Sequence, residues 1–219
     1  QLLTGKKRLP GFEGEWKNKK FGNIAKIDSG FAFKSKDFEL QGDARIIRMN
    51  DLKEGVLKEN DICFVTRDKV FELDRFKISN GDFLFGMSGS LSNFAWVHGN
   101  SGTQLFLNLR VGRVSPIKEN DSFFVQLLYL SNTIQNSILA MAAGAAQLNI
   151  SSRDLRNISI DVPPIEEQWA IARVIKNSFS KIHEEKKLLE CLRTEKTALM
   201  QQLLTGKRRV AIDKEKADV

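Results

Sequence analysis

The chain has 219 residues, 42% hydrophobic and 28% charged, with a formal charge of +7, proportions that suit one large domain, or one domain with an appended element, around a real core. Its longest apolar run, 138–146, is interrupted by Gly144 and falls well short of the roughly 20 residues of a membrane span; with no basic-then-apolar leader, the expectation is a cytoplasmic protein without a membrane partner. Two distant cysteines, Cys63 and Cys191, and two histidines, His98 and His183, without neighbours at ligand spacing argue against a disulfide scaffold or a metal site.

The charge surplus sits towards the ends. Residues 1–20 carry +4, whereas 21–164 hold sixteen basic and sixteen acidic side chains. A basic chain suggests a polyanionic partner, but a balanced middle can bind one only if its cations gather on one face. The chain opens on Gln1, not methionine, which fits a processed or cut piece. Its first eight residues, QLLTGKKR, return at 202–209 as QLLTGKRR, with one Lys/Arg exchange. A spacing of 201 residues is too long for a solenoid repeat and points to a large unit that recurs in a parent chain.

Between the ends, short runs rich in β-branched and aromatic residues predict strands at 62–66, 83–85, 94–97, 105–109 and 158–162. Gly81-Asp82, His98-Gly99-Asn100 and Ser101-Gly102 read as turns. Helical spacing over 123–142 predicts a helix capped by Ser122 and stopped at Gly144. With 15 Phe against one Tyr, the aromatics serve a core better than a stacking surface. After Pro163-Pro164 the pattern changes: 166–204 contains no Pro or Gly. One heptad row holds Ile175, Ile182, Leu189, Lys196 and Leu203, its companion Ile171, Ser178, Glu185, Leu192 and Leu199, and Gly206 follows as a cap. A helix of that length spans about 58 Å at 1.5 Å per residue, more than a domain of this size can cover, so a partner helix is expected. The fold class is α+β: a β-rich globular domain with a few helices, then a long C-terminal helix that pairs with a partner helix.

Catalytic look-alikes fail on inspection. The 161–165 segment, DVPPI, is superficially similar to the Asn/Asp-Pro-Pro-aromatic loop of amino-methyltransferases, but its polar residue stands one position early and the aromatic is missing. Thr4-Gly5-Lys6 lacks the rest of a phosphate-cradling loop, and 86–90, GMSGS, is a poor dinucleotide fingerprint. No Gly-x-Ser-x-Gly elbow favours a serine nucleophile.

The segments 144–155 (GAAQLNISSRDL), 158–168 (ISIDVPPIEEQ) and 199–209 (LMQQLLTGKRR), with 81–85 (GDFLF), 87–90 (MSGS) and 30–34 (GFAFK), resemble the specificity subunit of type I restriction–modification systems over nearly the whole chain. The resemblance implies a half-length form, with a junction or linker at 1–20, a DNA-reading target-recognition domain at 21–164, a conserved spacer and dimerisation helix at 165–206 that pairs in an antiparallel coiled coil, and a basic tail at 207–219. It implies no catalysis in this chain. Its partners would be double-stranded DNA, methyltransferase (modification) subunits, motor-nuclease (restriction) subunits and a second copy of itself. S-adenosylmethionine, ATP and magnesium would be held by the partner subunits, with no cofactor here.

DNA reading needs phosphate anchors and side chains that reach base edges. The implied candidates are Lys34, Lys36, Arg48, Asn50, Arg67, Ser88, Ser90, Asn93, Gln147, Asn149 and Arg153, with Asn149 or Ser151 alternatively capping the turn before Arg153. Ile171, Ile175, Ile182, Leu189, Leu192, Leu199 and Leu203 would form the dimerisation seam. Rival readings are a non-enzymatic coiled-coil adaptor with a β-rich protein-binding head, which would show no steep salt dependence on DNA, and an orphan methyltransferase, which would bind S-adenosylmethionine. Polar seam residues such as Lys196 fix register at a cost in stability. Lys196→Leu is therefore expected to stabilise the dimer or scramble its orientation; an unchanged melting curve together with an unchanged mass would refute a seam position.

Overall fold

The computed structural model describes residues 1–59, 62–99, 102–117, 119–141 and 149–209. The chain divides into two compact units, Gln1–Ala172 and a second that begins at Arg173.

The first unit is built from twelve short strands: β1 (Lys17–Lys20), β2 (Ala25–Ser29), β3 (Ala44–Ile47), β4 (Leu52–Lys53), β5 (Val56–Leu57), β6 (Phe64–Val65), β7 (Lys77–Ile78), β8 (Phe83–Gly86), β9 (Phe94–Trp96), β10 (Gln104–Leu107), β11 (Val111–Pro116) and β12 (Ser159–Val162). Its helices are α1 (Ser122–Tyr129), α2 (Asn132–Met141), α3 (Ser152–Asn157) and the start of α4 (Ile165–Leu204). Two four-stranded sheets, ordered β6-β3-β10-β7 and β2-β11-β8-β9, carry the framework, with β1-β12 and β4-β5 as two-stranded ribbons. All named strand pairs are antiparallel except β3 with β10, where Ala44 stands beside Gln104 and Ile47 beside Leu107.

Alternation along the strands sorts side chains to two faces. Ile47, Leu52, Leu84, Leu107 and Val111 enclose one core, and Ala44, Ile46, Val65, Phe76 and Phe106 another. On β8 all four residues are buried. Leu84 faces the first core, while Phe83 and Phe85 turn to α1, where their rings lie 5.5 and 4.6 Å from that of Tyr129. Phe83 and Phe85 are therefore core residues, as composition suggested, and so are Phe21, Phe76, Phe106 and Phe124, whereas Phe31, Phe71 and Phe179 are exposed.

The predicted strands recur with shifted ends; 105–109 stops at Leu107, and Asn108 opens a turn instead. The single helix expected over 123–142 is two. Asp121, not Ser122, caps α1 by accepting the Phe124 amide at 2.7 Å. Ser131 then breaks the run: its hydroxyl donates to the Leu128 carbonyl at 2.6 Å and accepts the Ile134 amide at 3.4 Å, ending one helix and starting the next. The Gly144 stop lies outside the described residues. Residues 1–20, read as a junction, contribute β1, an all-polar strand held in register against β12. Helix α4 covers 40 residues, about 60 Å at 1.5 Å per residue. Among the described residues, no helix is long and apolar enough to cross a membrane.

Tyr129 is the only tyrosine, and its hydroxyl is buried with no hydrogen-bond partner. Burial pushes its phenol up, above the ordinary value of 10.0. The folded state thus keeps a proton that the unfolded chain releases above pH 10.0, so stability falls as pH rises past that point. Absorbance at alkaline pH should show the phenol ionising only as the protein unfolds. Tyr129→Phe removes an unsatisfied group worth about 1 kcal/mol, and its melting temperature should hold or rise; a fall would mean that the hydroxyl has a partner.

Candidate nucleic-acid interface

The Asn108–Arg110 turn sits between β10 and β11. Backbone bonds close it, Val111 N–H to the Asn108 carbonyl at 2.8 Å and Asn108 N–H to the Ile47 carbonyl at 3.1 Å. This leaves the Arg110 side chain exposed, and its Nη1 donates to Asn149 Oδ1 at 2.8 Å. Three further segments meet there. Met87 N–H donates to the Arg110 carbonyl at 2.9 Å and Ile150 N–H to the Met87 carbonyl at 2.7 Å. Ser88 bridges to Asn149 backbone-to-backbone, and its hydroxyl meets Met49 Sδ at 3.3 Å. A β-carbon on Gly86 would fall 2.9 Å from Met49 Cγ and 3.0 Å from Asn93 Cβ, so the 86–93 loop lies directly on the 48–51 turn. The result is an open concavity of about 480 Å³ lined by Ser29, Leu109, Arg110, Asn149, Ser151 and Asp154 among others.

Six of the sequence candidates stand on these segments: Arg48 and Asn50 on the 48–51 turn, Ser88, Ser90 and Asn93 on the 86–93 loop, and Asn149, which is the one of the six that lines the concavity. Arg48 spans the 48–51 turn to Asp51, Nη2 to Oδ1 at 3.2 Å. Ser88 is 91% buried and acts through its backbone and Met49; Asn50 and Ser90 are exposed. Arg153 is exposed on α3. Ser151 caps that helix, accepting the Asp154 amide at 3.1 Å, which leaves Asn149 free for Arg110. Lys34, Lys36 and Arg67 are exposed at the short helical turns 35–37 and 67–70. There Lys69 Nζ lies 4.0 Å from Asp37, and the Arg67 amide donates to Asp43. At that place the Thr66 hydroxyl and the Lys69 ammonium hold the Asp68 carboxyl low, and Asp68 raises Lys69 in turn, so part of the local positive charge is already matched. Gln147 lies outside the described residues. Arg110 and Met49 were missed: extending the 105–109 strand through Leu109 conceals a turn whose signal is Asn108, a turn-former whose Oδ1 accepts the Leu109 amide at 2.6 Å.

The helix residues divide between the units. Ile171 is fully buried within the first unit and therefore leaves the seam, because it is spent on its own core. Beyond it Ile182, Leu189, Leu192 and Leu203 are 42–51% exposed, with Ile175 and Leu199 half-buried. Among the described residues, no group of three or more His, Cys, Asp or Glu could hold a metal.

Residues 13–193 match the type I restriction modification DNA specificity domain. The chain belongs to that family. Within the type I specificity family it is similar to the MjaVIII specificity subunit of Methanocaldococcus jannaschii, 25% identical over 90% of this chain and 47% of that one. It is also similar to the EcoBI specificity subunit of Escherichia coli, 28% identical over 83% of this chain and 36% of that one. The chain thus spans about half or less of these relatives' length. The solved HsdS subunit of Thermoanaerobacter tengcongensis shares the fold, with a TM-score of 0.56 over 85% of this chain and 43% of that one at 17% identity. The family's β-rich unit and long C-terminal helix are therefore those seen here.

Gly30 sets the site's backbone: a β-carbon there would fall 2.1 Å from the Asn108 carbonyl oxygen and 2.4 Å from that of Leu107. Gly30→Ala must push the Asn108–Arg110 turn away, at a cost of about 2 kcal/mol for overpacking. The melting temperature should fall by about 4–8 °C for a chain of this size; an unshifted melt would place the turn elsewhere.

Proposed function

We propose that this chain is a DNA-sequence-recognition subunit of a type I restriction–modification complex, in which the first unit reads one half of a bipartite site. The observation that carries the reading is the family match, which runs through both the β-rich unit and most of the helix. The cluster around Arg110 supports it chemically. Base-edge recognition uses arginine on guanine and asparagine on adenine, at about 1–3 kcal/mol of discrimination each. Here Asn149 holds the Arg110 guanidinium on an exposed loop, as a reader must be held, since an arginine fixed before binding loses less side-chain freedom on contact. Ser90, Asn93 and Asn50 would add polar contacts, and exposed Lys34, Lys36, Arg67 and Arg153 would meet phosphates.

On this reading the helix is a spacer. Two copies of α4, each about 60 Å long, paired antiparallel through Ile182, Leu189, Leu192 and Leu203, would hold two reading units more than one DNA turn of about 34 Å apart. Methyl transfer from S-adenosylmethionine and ATP- and magnesium-dependent cleavage would belong to the modification and restriction subunits, docked on this scaffold.

Co-expression with a modification subunit in a host lacking adenine methylation, followed by sequencing for modified bases, tests the reading. The expected result is a bipartite motif with two identical inverted halves. Arg110→Ala should relax one position in each half while leaving the spacing unchanged. No new modification, together with DNA affinity that does not fall with salt, would overturn the assignment.

A further inference from the structure

The repeated octapeptide closes on a similar turn at both ends of the chain. Gly5 has φ +67° and Gly206 φ +70°. The Thr4 hydroxyl donates to the Gln1 carbonyl at 3.1 Å; the Thr205 hydroxyl donates chiefly to the Gln201 carbonyl at 2.6 Å and also reaches that of Gln202, the counterpart of Gln1, at 3.4 Å. The Lys7 amide reaches back to the Gln1 carbonyl at 3.5 Å, and the Arg208 amide to that of Gln202 at 3.0 Å. Each pair is related by the 201-residue offset. Both copies therefore end a helix on a left-handed glycine, the first after the 3-10 turn Leu2–Thr4 and the second at the end of α4.

Their surroundings differ. The first copy is seated. A β-carbon on Gly5 would rest 3.4 Å from the Trp16 ring, and Leu2 and Leu3 are partly covered. Arg8 grips Glu167 with two bonds, Nε to Oε1 at 3.0 Å and Nη2 to Oε2 at 2.6 Å, and Trp16 Nε1 donates to the same carboxylate at 3.2 Å. Glu167 is completely buried, in the first turn of α4. The second copy, 202–209, is exposed at every residue, and Arg209 in it corresponds to Arg8.

We infer that the pocket made by Trp16 and Glu167 is a receptor for this helix-ending turn, and that residues 202–209 of a second copy can occupy it in place of residues 1–8, with Arg209 on Glu167. The inference rests on the helix pairing proposed above. Its geometry follows from antiparallel helices, because the end of one then lies beside the start of the other, which is where Glu167 stands. A parallel pair would put the two far apart, some 60 Å along the helix. The seat is thus an orientation check as well as a contact: only one sense of pairing brings the turn to it.

The test compares the full chain with Arg8→Ala, Arg209→Ala and the double variant by sedimentation, alongside anisotropy of a fluorescein-labelled QLLTGKRR peptide. Arg8→Ala vacates the ion pair and should leave the dimer as tight or tighter. Adding Arg209→Ala should then weaken it about tenfold, the loss of one charge-assisted contact. The peptide should bind the Arg8→Ala chain and fail to bind when its last arginine is alanine. If circular dichroism shows Arg8→Ala unfolded, Arg8→Lys, which keeps charge but loses the two-pronged grip, takes its place. Equal dimer constants with and without Arg209, and no peptide binding, would overturn the seat while leaving helix pairing intact. Monomers throughout would overturn the pairing and the exchange with it, even if the peptide binds.

Discussion

A carboxylate removed from water must be paired, and much of this chain's organisation follows from one that is. Glu167 has no exposed surface, and its two oxygens take Arg8 and Trp16 Nε1. Those contacts fix three things together: the path of residues 1–16, the β1-β12 ribbon that follows, and the direction in which α4 starts. Gln168 completes the anchor, accepting the Asp121 amide at 3.0 Å and donating to the Pro163 carbonyl at 3.0 Å. The Pro-Pro-x-Glu-Glu-Gln segment is thus the fastening between the β-rich unit and its helix, with the prolines ending β12 and the two polar side chains tying the first turn down.

How much of this could be read beforehand depended on how local each signal is. The long helix was plain, since 39 residues without Pro or Gly and a heptad rhythm need no tertiary context. Strands such as 83–85 and 94–97 announced themselves by their aromatics. The Lys17–Lys20 strand did not, because KNKK has no apolar residue and becomes a strand only by pairing with β12, more than 130 residues away. Strand β11 was hidden by its glycine, which exists because Phe85 lies where a side chain would be; a β-carbon on Gly112 would meet that ring at 2.2 Å. Ser131 ended a helix that periodicity alone carried through.

The candidate interface shows the same division. Residue type pointed to Ser88, Asn93 and Asn149, and the fold does gather them. What residue type could not supply was Arg110, which matters through its placement: a turn fixed by Gly30 and Ile47 from elsewhere in the chain, and a guanidinium steered by Asn149. The 86–89 segment packs on Met49, a flexible side chain suited to filling an irregular junction. The candidate readers therefore sit on loop ends, whereas the sheets beneath carry the buried aromatics.

Strands β1 and β12 run side by side in opposite directions, Lys17 opposite Val162. The chain enters the β-rich body and leaves it through the same narrow gate, and 138 residues, 21–158, lie between those two strands. A body with adjoining ends is a cassette: another of different loops could be spliced into the gate, with Arg8, Glu167 and the helix untouched. On the proposed function, sequence preference and assembly geometry would then be separate variables, open to change by exchange of one contiguous stretch of gene.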